Sequence, residues 1–230
     1  MTVCVIPARL NSTRFPQKVL CELLGKPMLQ YVYEAALKTG VFDEVVFAVD
    51  HEKTAALVKG FGAPYHMTSV ECQSGTDRLI ELSHLFDAEV FVNWQGDEPL
   101  VSTPMIHALL QSVGDGADIW TLKTFLSPEK AKHPHTVKVV TRADHRALYF
   151  SREAIPHGGP YYKHMGLYAF SKKGLYKISQ LIPSPLEKSE KLEQLRFLEN
   201  GLELIVHETP FDSVGIDHPS DVSFAEQELT

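Results

Sequence analysis

Val3-Cys4-Val5-Ile6-Pro7-Ala8-Arg9-Leu10-Asn11-Ser12-Thr13-Arg14-Phe15-Pro16-Gln17-Lys18 is the stretch from which the fold follows. The apolar run from Val3 to Ile6 reads as a buried strand that stops at Pro7, whose missing N–H cannot serve a central ladder. The loop behind it carries Arg9, Arg14 and Lys18 and no acidic residue. Three cations with nothing nearby in sequence to neutralise them point to an anion site, and a loop leaving a strand points to phosphate. A solvated loop would carry the same charges, so this stretch alone leaves both readings open.

Working outward, Leu29, Val32, Tyr33, Ala36 and Leu37 stand at helical spacing and end at Gly40. Glu44 to Val49 reads as a second strand, Asp50 to about Phe61 as a helix, Ala63 to Met67 as a short strand, Ser74 to Phe86 as a helix and Glu89 to Trp94 as another buried strand. Strands alternating with helices of this length imply parallel pairing through right-handed crossovers, hence a three-layer α/β sandwich. Its ligand edge is the carboxyl end of the strands, where the loops after Ile6, Val49 and Trp94 converge. No G-x-G-x-x-G turn or Walker loop is present, so side-chain cations and loop amides must hold any phosphate. The second half changes character. Thr136–Thr141 and Arg146–Ser151 read as a hairpin turning at Ala143-Asp144-His145, and His164–Phe170 as a strand. A helix follows Lys172, and another is expected from Glu187 to Asn200. These elements form a small mixed insertion at about 136–200, after which Leu204–His207 rejoins the sheet and a terminal helix follows Pro219.

The chain has 230 residues, enough for one large domain with a substantial core. With 22 basic and 29 acidic side chains the net charge is −7, spread without blocks, which argues against nonspecific nucleic-acid or membrane-surface binding and leaves room for a local basic pocket. No run approaches a membrane span and the amino terminus lacks a signal pattern, so a cytoplasmic location is expected. Cys4, Cys21 and Cys72 have no metal-type spacing and read as reduced thiols, two of them packed.

Several residues carry possible chemistry. Asp97, in Gln95-Gly96-Asp97-Glu98-Pro99, follows a strand at a glycine turn and suits a hard cation that holds a polyphosphate; it would equally serve as a local cap. Asp217, before Pro219, is a second candidate ligand and also a good helix N-cap. Gln73-Ser74-Gly75-Thr76-Asp77-Arg78 opens a helix with groups that read a base edge or an anion, or simply cap. Arg152, His164, Tyr168 and Glu193 are polar groups of the insertion. His164 read alone is more often structural than catalytic. Glu187, Glu190 and Glu193 recur every three residues, the pattern of a solvated face.

Taken together, these motifs resemble the sugar-acid cytidylyltransferases and, along essentially the whole chain, the 3-deoxy-manno-octulosonate (Kdo) branch. The resemblance rests on Ile6-Pro7-Ala8-Arg9 with Ser12 to Lys18, Gln73 to Leu79, Gln95 to Pro99, Ala147 to Arg152, His164-Met165-Gly166-Leu167-Tyr168, Leu192 to Arg196 and Val214-Gly215-Ile216-Asp217. It implies a nucleotide-diphospho-sugar transferase-like, Rossmann-like sandwich with an inserted dimerisation subdomain, forming a homodimer that joins CTP to a 3-deoxy sugar acid with Mg²⁺. By position, Ala8, Arg9, Arg14, Lys18, Ser74, Gly75 and Arg78 would bind CTP. Gln95, Arg152, His164, Tyr168, Glu193 and Gln194 would bind the sugar acid, and Asp97 and Asp217 the metal. Arg9, Lys18 and Asp97 would be the catalytic set, with no protein general base. A related sugar-acid cytidylyltransferase and a silent nucleotide-binding relative are the alternatives. The sequence departs from the pattern at Val19, where proline is usual, at Trp94, where a smaller apolar residue is common, and in a short His157–Lys163 loop.

Overall fold

A computed structural model describes residues 1–230. The chain divides into two compact units, residues 1–106 with 213–230, and residues 107–212.

In the first unit, β1 (Thr2–Ala8) leads through a one-turn 3₁₀ segment (Lys18–Leu20) and a tiny hairpin, β2 (Glu22–Leu23) and β3 (Lys26–Pro27), into α1 (Met28–Lys38). β4 (Glu44–Val49), α2 (Glu52–Gly60), β5 (Tyr65–Met67), α3 (Gly75–Ser83) and β6 (Val90–Asn93) follow, and α4 (Thr103–Leu110) carries the chain across the boundary. The order β6-β1-β4-β5 is parallel throughout, with Val5 opposite both Val46 and Asn93. Val3 to Ile6 and Val46 to Val49 are at most 1% exposed. Strands dry on both sides need helices over both faces, which is why they read as unbroken apolar runs rather than alternating ones. When the chain returns at Ser213, Ile216 packs with Leu23, Met28 and Ala225 of the terminal helix, placed by an apolar contact that fixes its neighbour Asp217.

The second unit starts from β7 (Ile119–Leu126), in a stretch the sequence pattern left without an assignment, followed by α5 (Pro128–Ala131). β8 (Lys138–Thr141) and β9 (Ala147–Ser151) form the expected hairpin, with His145 at φ +67° in its turn. β10 (Tyr161–Ser171) lies antiparallel to β7, α6 (Lys172–Ser179), α7 (Pro185–Glu190) and α8 (Glu193–Glu199) follow, and β11 (Leu204–Glu208) runs parallel to β7. The unit is wider than the insertion expected at about 136–200, because β7 and β11 pair with each other and draw both flanks into it. Helix α9 (Pro219–Glu228) ends the chain in the first unit. No helix is long and apolar enough to cross a membrane.

The single helix expected from Glu187 to Asn200 is two, broken at Lys191 with φ +56°. The glutamates therefore do not share a solvated face. Glu187 chelates the Arg196 guanidinium, with Nε at 2.8 Å, and Glu190 accepts from the Ser151 hydroxyl at 2.8 Å and the Arg152 amide at 2.9 Å. Local spacing cannot report these partners: Ser151 and Arg152 come from a distant segment, and Arg196 meets Glu187 across the break between the two helices. The cysteines are all free thiols, but only Cys4 is buried; Cys21 and Cys72 are half-exposed.

Candidate active site

At the carboxyl ends of β1 and β6 one cleft in the first unit gathers Arg9, Arg14 and Lys18, the start of α3 at Ser74 and Gly75, and Gln95, Gly96, Asp97 and Asp217. Lys18 is its hub. The ammonium donates to the Asp97 carboxylate, to Asp217 Oδ1 at 3.1 Å and to the Ile216 carbonyl at 3.1 Å. Burial opposes the charged amine, yet the two carboxylates overcome it and hold Lys18 above the ordinary lysine value. Arg14 pairs with Asp217 at 2.8 Å on the exposed rim, and exposed Arg9 carries no carboxylate partner. The cleft thus offers one unneutralised cation, two shared ones and two carboxylates held around a single positive charge.

Each wall has a local cause. Val19 is buried and pins the 3₁₀ turn that aims Lys18, so the departure from proline removes no ligand. Trp94 is fully buried and its indole N–H donates to the Glu98 carbonyl at 3.1 Å, closing the loop that presents Asp97. Sequence reasoning noted Trp94 only as oversized. Gly96 is needed for close approach rather than for a special turn, since a Cβ there would lie 2.9 Å from the Pro7 carbonyl oxygen and 2.9 Å from Leu29 Cδ2. Gly75 is similar, with Gln95 Nε2 at 3.0 Å and Pro7 Cγ at 3.2 Å from its virtual Cβ. Ser74 caps α3 reciprocally with Asp77 and still lines the cleft.

Three expectations change. Asp217 is not the cap of the terminal helix: His218 takes that position, and the Asp221 carboxylate accepts both the Asp217 amide at 2.9 Å and the His218 amide at 2.7 Å, leaving the Asp217 carboxylate for Lys18 and Arg14. Ala8 is buried at the end of β1 and does not line the cleft. Arg78 reaches the cleft but is 2% exposed, its donors spent on Asp50 at 2.9 Å, on the Thr68 hydroxyl and on the Ser69 carbonyl. The sequence gives no sign of that partnership, because Asp50 and Arg78 lie 28 positions apart.

The cytidylyltransferase family pattern matches residues 3–205. A Geobacter metallireducens protein named 3-deoxy-manno-octulosonate cytidylyltransferase is 42% identical, over 98% of this chain and 96% of its own. One of the same name from Acidobacterium capsulatum is 43% identical over 98% and 95%. The chain belongs to the Kdo cytidylyltransferase family. A solved CMP:2-keto-3-deoxy-manno-octonic acid synthetase complexed with CTP matches with a TM-score of 0.95 and 38% identity, covering 99% of this chain and 98% of that one. A 4-diphosphocytidyl-2C-methyl-D-erythritol synthase from Anaerococcus prevotii, with a TM-score of 0.67 and 13% identity over 99% and 97% of the two chains, shares the fold alone.

In this Kdo cytidylyltransferase family member the second unit brings together His164, Tyr168 and Gln194. His164 is buried, with Thr121 Oγ1 at 3.1 Å from Nε2, Gln194 Nε2 at 3.5 Å from Nδ1, and the Phe150 and Tyr168 rings 4.8 and 5.4 Å away. Thr121 donates to the Leu167 carbonyl at 2.8 Å, so its oxygen accepts from Nε2–H and Gln194 donates to Nδ1, which assigns the neutral tautomer. Arg152 is differently placed. Its guanidinium bonds the carbonyls of Glu190, Pro134 and Lys191, so it clamps the loops around it. Glu193 opens α8 beside Gln194. Beneath Arg152, Lys138 is fully buried and donates to the carbonyls of Thr136 at 2.7 Å, His133 at 3.2 Å and Arg152, while burial holds its amine below the ordinary value.

Burial, and to a lesser degree Lys163, pushes the His164 imidazolium down to about 3. The unfolded chain therefore binds a proton below about pH 6.5 that the native site refuses until about pH 3. Stability from neutral His164 is fully present above that window and is lost as pH falls through it. Chemical denaturation of the wild type and of His164→Gln at pH 7.5 and pH 5 is expected to give a smaller acid loss in the variant; equal losses would show that His164 is not the group refusing the proton.

Proposed function

We propose that this chain is a CTP:Kdo cytidylyltransferase that joins CTP to Kdo and releases pyrophosphate, forming the CMP-Kdo used in lipopolysaccharide assembly. The observation that carries the reading is the Lys18 cluster: a cleft with three cations on one strand-end loop faces two carboxylates that already share one positive charge. Arg9, Arg14 and Lys18 hold the triphosphate, and Ser74 and Gly75 close the nucleoside side, with Arg78 packed behind it. In the second unit, His164, Tyr168, Glu193 and Gln194 are proposed for the sugar acid, with Arg152 shaping that part of the unit through its carbonyl contacts.

Asp97 and Asp217 suit a hard divalent cation, because both reach a single ammonium and their remaining oxygens are of the type Mg²⁺ takes alongside phosphate and water. We propose that they hold Mg²⁺, which when bound neutralises triphosphate charge. The chain's own work is positioning. The cations fix the α-phosphoryl group so that the anomeric hydroxyl oxygen of Kdo attacks phosphorus in line; the new P–O bond forms as the bond to pyrophosphate breaks, and the hydroxyl proton passes to solvent. Lys18 is charged throughout and acts as an electrostatic clamp rather than a base. A triphosphate-consuming reaction of this kind belongs in the cytoplasm, and a homodimer built on the second unit is part of the proposal.

The test is initial-rate pyrophosphate release with Mg²⁺, CTP or UTP, and a panel of sugar acids. Turnover is expected with CTP and a 3-deoxy sugar acid. No turnover with any such acid would overturn the substrate, and equal rates with UTP would overturn the cytidine assignment.

A further inference from the structure

Outside the contacts expected from sequence, one part-buried carboxylate joins two walls of the cleft. Asp50 directly follows β4, with its side chain 11% exposed. Oδ1 accepts the Leu10 amide at 2.8 Å, and Oδ2 accepts Arg78 Nη2 at 2.9 Å. Leu10 follows Arg9 and is itself 6% exposed, so this bond anchors the phosphate-side loop at its first turn. Arg78 belongs to the first turn of α3, whose Ser74 and Gly75 form the opposite wall. The network is complete behind them: Arg78 Nη1 also donates to the Ser69 carbonyl at 3.1 Å and to the Thr68 hydroxyl, and that hydroxyl donates to the Val49 carbonyl at 3.1 Å. Asp50 does not line the main cleft; it borders a small recess behind it, with Arg9, Leu10 and Arg78.

We infer that Asp50 is a positioning residue for the nucleotide: through the Leu10 amide and the Arg78 guanidinium it fixes the spacing between the Arg9–Lys18 loop and the start of α3. The inference rests on the CTP reading of the cleft. Its physical basis is that a carboxylate with both oxygens used by groups from separate segments fixes both, and removing its charge leaves Arg78 buried without its counterion. Hydrogen bonding that involves a charged group contributes more than a neutral pair, and here the contribution is to geometry at the ligand.

Asp50→Asn keeps the shape and can keep the Leu10 bond, but turns an amide donor toward Arg78. The expected result is a CTP KM and Kd raised about tenfold, kcat changed far less, the sugar-acid KM unchanged, and faster hydrogen exchange confined to residues 9–18 and 68–78. Asp50→Glu, which preserves the charge while displacing it, is expected to give the same pattern in weaker form and serves if Asp50→Asn does not fold. A folded variant with wild-type CTP KM and Kd would overturn the inference. So would a fall in kcat alone, which is what a smaller folded fraction produces. Wild-type CTP binding is scored separately: its absence would overturn the nucleotide reading together with this one, whereas binding with no variant effect would overturn only the role of Asp50.

Discussion

Asp97→Asn is expected to lower turnover by about 10³-fold, the scale seen when one preorganised electrostatic group is removed from a transition state. The carboxylate is the acceptor of the Lys18 ammonium and a member of the only carboxylate pair in the cleft, so its neutral isostere loses both the clamp on Lys18 and the proposed metal ligand. The fold is expected to survive. The backbone carbonyl of Asp97, which accepts the Ile216 amide at 2.8 Å, remains, as does the Trp94 bond to Glu98 that closes the loop. Two readouts separate site from fold: the thermal midpoint should stay near the wild type while pyrophosphate release falls by about that factor of 10³. Near-normal turnover in a folded Asp97→Asn protein would remove Asp97 from the mechanism.

Gly96→Ala is expected to act by steric force rather than charge. The added methyl would stand 2.9 Å from the Pro7 carbonyl oxygen, a backbone atom in the buried end of β1 that also accepts the Gly96 amide at 3.2 Å. Leu29 Cδ2, also at 2.9 Å, belongs to a fully buried side chain and has little room to yield. Overpacking of this kind costs about 1–3 kcal/mol. For a chain of this length each kcal/mol lowers the melting temperature by about 2–4 °C. Because Asp97 is the next residue, activity should fall by more than the lost stability explains, measured as turnover per folded molecule below the transition. Unchanged melting and unchanged turnover would mean that the loop accommodates a side chain and that the close approach has no role.

Legibility in the sequence differed by the range of the interactions involved. The parallel core of the first unit was readable because strands dry on both faces leave uninterrupted apolar runs, and the phosphate-side loop because three cations stand together without a local acid. Partners from distant segments were not readable. Arg78 and Arg152 look alike in sequence as available cations, yet the first is paired with Asp50 and the second is spent on three carbonyls. The break at Lys191 had no glycine or proline to announce it, so one helix was expected where α7 and α8 stand. Asp217 was readable in sequence as either a ligand or a helix cap, and only the placement of His218 at the cap decides between them. Its proximity to Lys18 arises because Ile216 is buried against Leu23 and Met28, some 190 positions earlier by the numbering. Trp94 was visible as a large residue, but its role in closing the Asp97 loop needed the position of the Glu98 carbonyl.

Phosphorus NMR of the complete reaction tests the central claim most directly. With CTP, Mg²⁺ and Kdo, the triphosphate signals should give way to equal amounts of a single phosphodiester, CMP joined to the sugar, and free pyrophosphate, whereas CTP should stay intact when Kdo is left out. CTP that persists in the presence of Kdo, or that is cleaved to CDP and inorganic phosphate instead, would contradict it.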